Sequence, residues 1–143
     1  MECLCYVTLV RHVYPLELQK FRESNGTVTV FEEGTIPFPA IRAFLVEARV
    51  GETRGAHAHR VCQQLLVAVS GGITVTSTNG KIENVHHLTN SGAGLVIPSM
   101  IWATQKYTEP NSQLLVICDQ IFDEQDYIRE FAEFASLAVQ INF

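Results

Sequence analysis

The chain is short of charge, and of positive charge in particular. Charged residues make up 17% of its 143 residues against 47% hydrophobic, and the net charge is −5. Nucleic acid is held by basic faces, so it is not expected as a partner, although one or two arginines can still meet a small anionic ligand. No apolar run approaches the roughly 20 residues that cross a bilayer, so no membrane span is expected. The opening MECLCYVTLVRHVYPLELQ has no basic segment before its short apolar stretch and no small-residue cleavage site. No secretory signal is therefore expected, and the cytoplasm is the expected compartment. The four cysteines, Cys3, Cys5, Cys62 and Cys118, form no C-x-x-C pair and no zinc-ribbon spacing. They are expected as reduced, mostly buried thiols. The length is that of one ordinary domain, and no repeat or low-complexity segment divides residues 1–143.

What is there is a series of short strands punctuated by turns. The stretches 27–34, 40–50, 63–72, 72–78, 81–89, 92–108 and 112–122 each read as strand, and Asn79-Gly80 is a hairpin signal between two of them. Only the tail changes period. DEQDYIREFAEFASL (123–137) places Tyr127, Ile128, Phe131, Phe134 and Ala135 on one helical face, with Asp123 as N-cap. That stripe reads as packing against the strands. The fold class is all-β, with strands spaced as in a closed or double-sheet barrel and one short C-terminal helix.

The chemistry centres on RGAHAHRVCQQLLV (54–67). Strand side chains alternate, so His57 and His59 point to one face. Two converging imidazoles can begin a metal site, or can serve as an acid and a base. His86 and His87 are adjacent and so face opposite ways, as surface or packing residues.

The spacing around the pair resembles the first motif of the cupins, a family of jelly-roll barrels. Gly51 is followed by five residues and His57, one and His59, four and Gln64, six and Gly71. A second cupin motif is matched at Gly92 and Pro98, with Met100 and Ala103 where the family carries Gly and His. Metal-binding cupins use two His, a Glu and a third His. Here Gln64 and Ala103 replace the last two, and two imidazoles alone fall short of the three protein ligands of a usual catalytic metal. No metal and no other cofactor are expected.

A narrower resemblance covers residues 26–134. RGAHAHR, the NG turn, Pro98-x-x-x-Trp102 and the acidic DEQDYIREF tail (123–131) together resemble the nucleotide-sugar 3,4-ketoisomerases, metal-independent cupins acting on dTDP-4-keto-6-deoxyglucose. The resemblance implies a single cupin domain and a homodimer that exchanges N-terminal strands. It also implies a dTDP-linked 4-keto-6-deoxy sugar as substrate, and a role in making 3-amino-3,6-dideoxy sugars for surface polysaccharide. Moving the keto group from C4 to C3 needs proton transfer through an enediolate, for which His57 and His59 are the expected acid and base. Arg54 and Gln64 are expected beside the enediolate. Arg42, mid-strand in apolar surroundings, is expected to grip the diphosphate. Trp102 is expected to wall the sugar or base pocket.

Each residue has a plainer alternative. The histidines could line the barrel with structural hydrogen bonds, Arg54 could cap a turn, and Arg42 could pair with Glu47. Gln64 could be a satisfied amide and Trp102 a core residue. The chain departs from the family at Asn25, Phe44 and Ala103, which bears on the stereochemistry at C4. Rival functions are a metal-free 3,5-epimerase, which usually wants a His–Asp pair and a Tyr acid, a sugar-nucleotide-binding cupin without turnover, and a metal-dependent dioxygenase.

Overall fold

The computed structural model describes residues 12–90 and 92–141; Cys3, Cys5 and the opening of the chain lie outside them. Within these residues the strands are β1 (Tyr14–Leu16), β2 (Gln19–Glu23), β3 (Gly26–Val30), β4 (Arg42–Glu47), β5 (Thr53–His59), β6 (Gln64–Ser70), β7 (Gly72–Thr78), β8 (Glu83–Thr89), β9 (Gly94–Ile97), β10 (Trp102–Tyr107), β11 (Gln113–Cys118) and β12 (Tyr127–Ile128), followed by helix α1 (Phe131–Val139). Two five-stranded sheets, β1-β9-β6-β11-β4 and β12-β5-β10-β7-β8, face each other, and β2 and β3 form a separate ribbon. The all-β cupin barrel with a short C-terminal helix is therefore the observed fold. No helix among the described residues is long and apolar enough to cross a membrane.

Alternation builds the barrel. In β4, Arg42, Phe44 and Val46 turn inward, while Ala43, Leu45 and Glu47 face out. In β6 both faces are buried: Leu66 and Ala68 join the core between the sheets, and Leu65 and Val67 pack beneath Ile36 and Phe38. Leu66 is 1% exposed, so truncation to Ala costs about 2–5 kcal/mol. A third cluster, around Ala58, Ile128 and Phe134, seats α1 on the outside of the second sheet. The Asn79-Gly80 turn closes the β7–β8 hairpin, with the Asn79 carboxamide oxygen accepting from the Lys81 and Ile82 amides at 2.9 Å each. His86 and His87 face opposite ways; His87 bonds Thr74 at 2.8 Å.

Two readings are corrected. The stretch 92–108 is two strands, β9 and β10, broken at Pro98–Met100, where Met100 takes a left-handed φ of +60°. The tail is helical only over Phe131–Val139. Asp123 does cap a turn, accepting from the Gln125 amide, but that turn is a 3-10 turn over Glu124–Asp126. Tyr127 and Ile128 then pair with His59 and Ala58 of β5. Strand pairing overrides the local helical pattern because β5 is an edge whose amides need partners.

Candidate active site

A bulge aims the histidines. Across the β5–β10 ladder, His57 lies opposite Ala103 and Gly55 opposite Thr104, so Ala56 is an extra residue. Gly55 and Ala56 both have positive φ, +83° and +59°. Bulges bend a strand and redirect the side chain that follows, at the cost of a residue held in a sparsely populated conformation. Beyond the bulge the His57 and His59 rings lie on one face, 5.0 Å apart and edge to face.

His59 is held from behind. Its Nδ1 lies 2.8 Å from an Asp126 carboxylate oxygen. The same carboxylate accepts from the Val61 amide at 2.7 Å and the Cys62 amide at 3.4 Å. A carboxylate only accepts, so the network assigns the imidazole proton to Nδ1 and leaves Nε2 with its lone pair. That Nε2 is buried and has no hydrogen-bond partner among the described residues. The Tyr127 ring packs 4.4 Å from His59 and 5.0 Å from His57. Burial, and then the neighbouring His59, push the His57 pKa down to about 4. Burial also lowers that of His59, against the opposing pull of Asp126. His57 is thus neutral near pH 7, the state a general base needs.

His57 opens onto a cavity of about 220 Å3 inside the barrel. One wall, with Phe44, Leu66 and Leu114, is apolar; the other carries Arg54, His57 and Gln105. Gln64, Tyr127 and Arg129 also reach it. A larger cleft of about 530 Å3 lies between Glu47–Val50 and Pro110–Gln113, but no histidine reaches it. The smaller cavity holds the convergent titratable groups and is the better candidate.

Of the residues expected at the site, the structure brings His57, Arg54 and Gln64 to this cavity, with His59 behind. The Gln64 amide points back at the Cys118 thiol, 3.7 Å away. Cys62 and Cys118 are free and buried. Arg42 does not pair with Glu47. It donates to the Tyr127 hydroxyl at 3.3 Å and lies 4.9 Å over Phe44 and 5.5 Å over Phe122. Trp102 is placed elsewhere, on the outer face of the sheet against Phe131 and Phe134 at 5.3 and 5.8 Å, and does not line the cavity.

Sequence reasoning missed four residues of the site: Asp126, Tyr127, Arg129 and Gln105. Arg129 is held by Glu124 in a two-pronged pair at 2.7 and 2.9 Å, with its guanidinium 4.4 Å over Tyr127. The signal for three of them was the DEQDYIR tail, assigned to helix packing because its apolar spacing mimics a helical stripe. The His–Asp pair with a tyrosine beside it, expected of an epimerase and not found in the sequence, is present as His59, Asp126 and Tyr127. Among the described residues, His59, Cys62 and Asp126 have ligand atoms within 4.8 Å of one another. An ion there would have to displace the His59–Asp126 hydrogen bond.

The sequence pattern of the family described as FdtA: WxcM-like, C-terminal, matches residues 11–139. The chain belongs to this family. It is 28% identical over 129 residues to a TDP-4-oxo-6-deoxy-alpha-D-glucose-3,4-oxoisomerase of Aneurinibacillus thermoaerophilus, covering 89% of this chain and 93% of that one. The WlaRB TDP-quinovose 3,4-ketoisomerase of Campylobacter jejuni matches with a TM-score of 0.82 and 27% identity, over 89% of this chain and 99% of its own. The sugar 3,4-ketoisomerase QdtA of Thermoanaerobacterium thermosaccharolyticum, solved in complex with TDP, matches with a TM-score of 0.87 and 24% identity, over 92% and 97%. The resemblance to sugar-nucleotide ketoisomerases read from RGAHAHR and the DYIR tail holds for an FdtA family member of this shape.

Proposed function

We propose that this chain is a 3,4-ketoisomerase that moves the keto group of a TDP-linked 4-keto-6-deoxyhexose from C4 to C3, by proton transfer at His57 and His59 and without a metal. The observation that carries the reading is the Asp126-anchored His59 beside a neutral His57 on the wall of a small, half-apolar cavity. The relatives named for this chemistry support it.

The C3–H bond breaks toward an imidazole lone pair, and its electrons form the C3=C4 double bond of an enediolate with charge on the C4 oxygen. A proton then passes from the imidazolium to C4, the C3 hydroxyl proton moves to the C4 oxygen, and the carbonyl stands at C3 with a hydroxyl at C4. Neutral imidazole is a competent base near pH 7 and imidazolium a competent acid, so the pair supplies both steps. Arg54 is the donor placed to meet oxygen charge at the cavity, while Gln64, which also lines it, directs its amide N–H to the Cys118 thiol. At about 220 Å3 the cavity is smaller than the roughly 300–1,000 Å3 of a drug-sized site. It suits the sugar ring and leaves the nucleotide outside, where Arg42, with an Nε lacking any partner among the described residues, is the candidate for the diphosphate. The wall role assigned to Trp102 passes to Phe44 and Tyr127.

A 3-keto sugar is the form that an amino-group transfer at C3 requires. On this reading the chain serves the making of 3-amino-3,6-dideoxy sugars for surface polysaccharide, in the cytoplasm. A homodimer with exchanged N-terminal strands is proposed with it. Support comes from β4, an outer strand of its sheet, where Leu45 is 60% exposed.

A second reading, a 3,5-epimerase, is favoured by one observation, the His59–Asp126 pair with Tyr127 against it. Incubation with TDP-4-keto-6-deoxyglucose and a chelator, followed by NMR, separates the two. A carbonyl at C3 supports the isomerase. A carbonyl that stays at C4 with inversion at C3 or C5 supports the epimerase, and an unchanged sugar excludes both.

A further inference from the structure

We infer that Gln105 holds the C2 hydroxyl of the sugar, and so selects hexoses that carry it over 2-deoxy ones; the inference rests on the ketoisomerase reading above. Gln105 lies in β10, opposite Arg54 of β5 and Val75 of β7. Its neighbours in the strand alternation, Ala103 and Tyr107, are buried toward the barrel interior, and Gln105 lines the same cavity as His57. The residue is 9% exposed, yet its amide makes no hydrogen bond to another described residue. The amide is open to the cavity rather than sealed in the core, so its donor and its acceptor are both free to meet a ligand there.

The fold makes room for that amide. A Cβ on Gly55 would stand 2.5 Å from the Gln105 Oε1 and 3.0 Å from the Ala103 carbonyl oxygen. Glycine at the bulge therefore does two things: it takes the φ of +83° that redirects His57, and it leaves space for the Gln105 head group.

The chemistry selects the hydroxyl. In a TDP-linked 4-keto-6-deoxyhexose, C1 carries the diphosphate, C3 and C4 react, and C5 carries the methyl group. The C2 hydroxyl is the one hydroxyl that passes through the reaction unchanged. It lies on the carbon next to C3, and Gln105 stands directly across the ladder from Arg54, the donor assigned to the reacting oxygens. A carboxamide offers a donor and an acceptor together, which matches a hydroxyl that does both.

The test is steady-state kinetics of wild type, Gln105→Leu and Gln105→Glu on TDP-4-keto-6-deoxyglucose and on its 2-deoxy counterpart, with thermal unfolding of each protein. Sites that hydrogen-bond a substrate hydroxyl reject analogues lacking it, so wild type is expected to prefer the hydroxylated sugar in kcat/KM by about 100-fold or more. Gln105→Leu is expected to lose at least about 10-fold on that sugar and less than about threefold on the 2-deoxy one, with Gln105→Glu between. Equal loss on both sugars, or no loss on either, overturns the inference. If both variants fail to fold, the wild-type preference decides, and its absence overturns the inference. Wild type that turns over neither sugar overturns the ketoisomerase reading itself.

Discussion

Replacing Asp126 by Asn changes one atom's chemistry and, on this account, inverts the catalytic tautomer. The carboxylate accepts from the Val61 amide on one oxygen, and from His59 Nδ1 and the Cys62 amide on the other. Asparagine has one oxygen. Kept toward Val61, at 2.7 Å the shorter of the two amide contacts, it turns its NH2 toward His59. His59 Nδ1 must then accept, and its proton moves to Nε2, where the lone pair is needed. A catalytic imidazole in the wrong tautomer costs about 10²–10⁴ in kcat. Stability falls as well. Asp126 is 12% exposed on its side chain, and hydrogen bonds to charged groups contribute about 1.5–3 kcal/mol each, of which the amide retains part. A net loss of about 3 kcal/mol over 143 residues, with an unfolding entropy of about 0.3 kcal/mol per degree, lowers Tm by about 10 °C. The assay is kcat by NMR well below the variant's Tm, with calorimetry alongside. An Asp126→Asn protein within threefold of wild-type kcat would refute the tautomer argument, whatever its Tm.

Three further outcomes are expected. The His57 pKa of about 4 lies below the ordinary 6.5, so between these values the unfolded chain binds more protons than the folded one. Stability is therefore lost as pH falls from about 6.5 to 4, by about 3 kcal/mol. Denaturant titrations of wild type and His57→Gln across that window should converge toward low pH; parallel curves would contradict the shift. Trp102→Ala removes packing against Phe131 and Phe134 and should cost about 2–4 kcal/mol while KM, measured well below Tm, changes less than threefold. A tenfold rise in KM with unchanged Tm would restore the pocket wall expected from the sequence. Exhaustive chelation should leave the rate unchanged; stoichiometric iron or zinc with metal-dependent turnover would overturn the reading of Gln64 and Ala103.

The strand architecture and the shared face of His57 and His59 were legible because period-two alternation is a local property of the chain. What was not legible depends on tertiary pairing. Residues 127–128 carry an apolar spacing that fits a helix, yet they pair with β5, and that pairing delivers Asp126 and Tyr127 to the histidines. Nothing local distinguishes the two outcomes; the DYIR motif did mark the segment, but as a family feature without a place in space. Trp102 failed in the opposite sense. Its motif position was read as a pocket wall, whereas β10 places Ala103 and Gln105 inward and turns Trp102 outward beneath α1. The bulge at Gly55–Ala56 leaves only a glycine as its sequence trace, so the open amide it accommodates, Gln105, drew no notice.

The most direct test of the central claim is solvent isotope incorporation. TDP-4-keto-6-deoxyglucose is incubated in D2O with chelator and wild type, His57→Ala or His59→Ala, and the product is read by NMR. Wild type is predicted to give a 3-keto sugar with deuterium at C4, and each variant to lose at least about 10²-fold in rate, since removing a positioned acid or base costs about that much. A carbonyl that remains at C4 with deuterium entering at C5, or undiminished turnover by both histidine variants, would contradict the account.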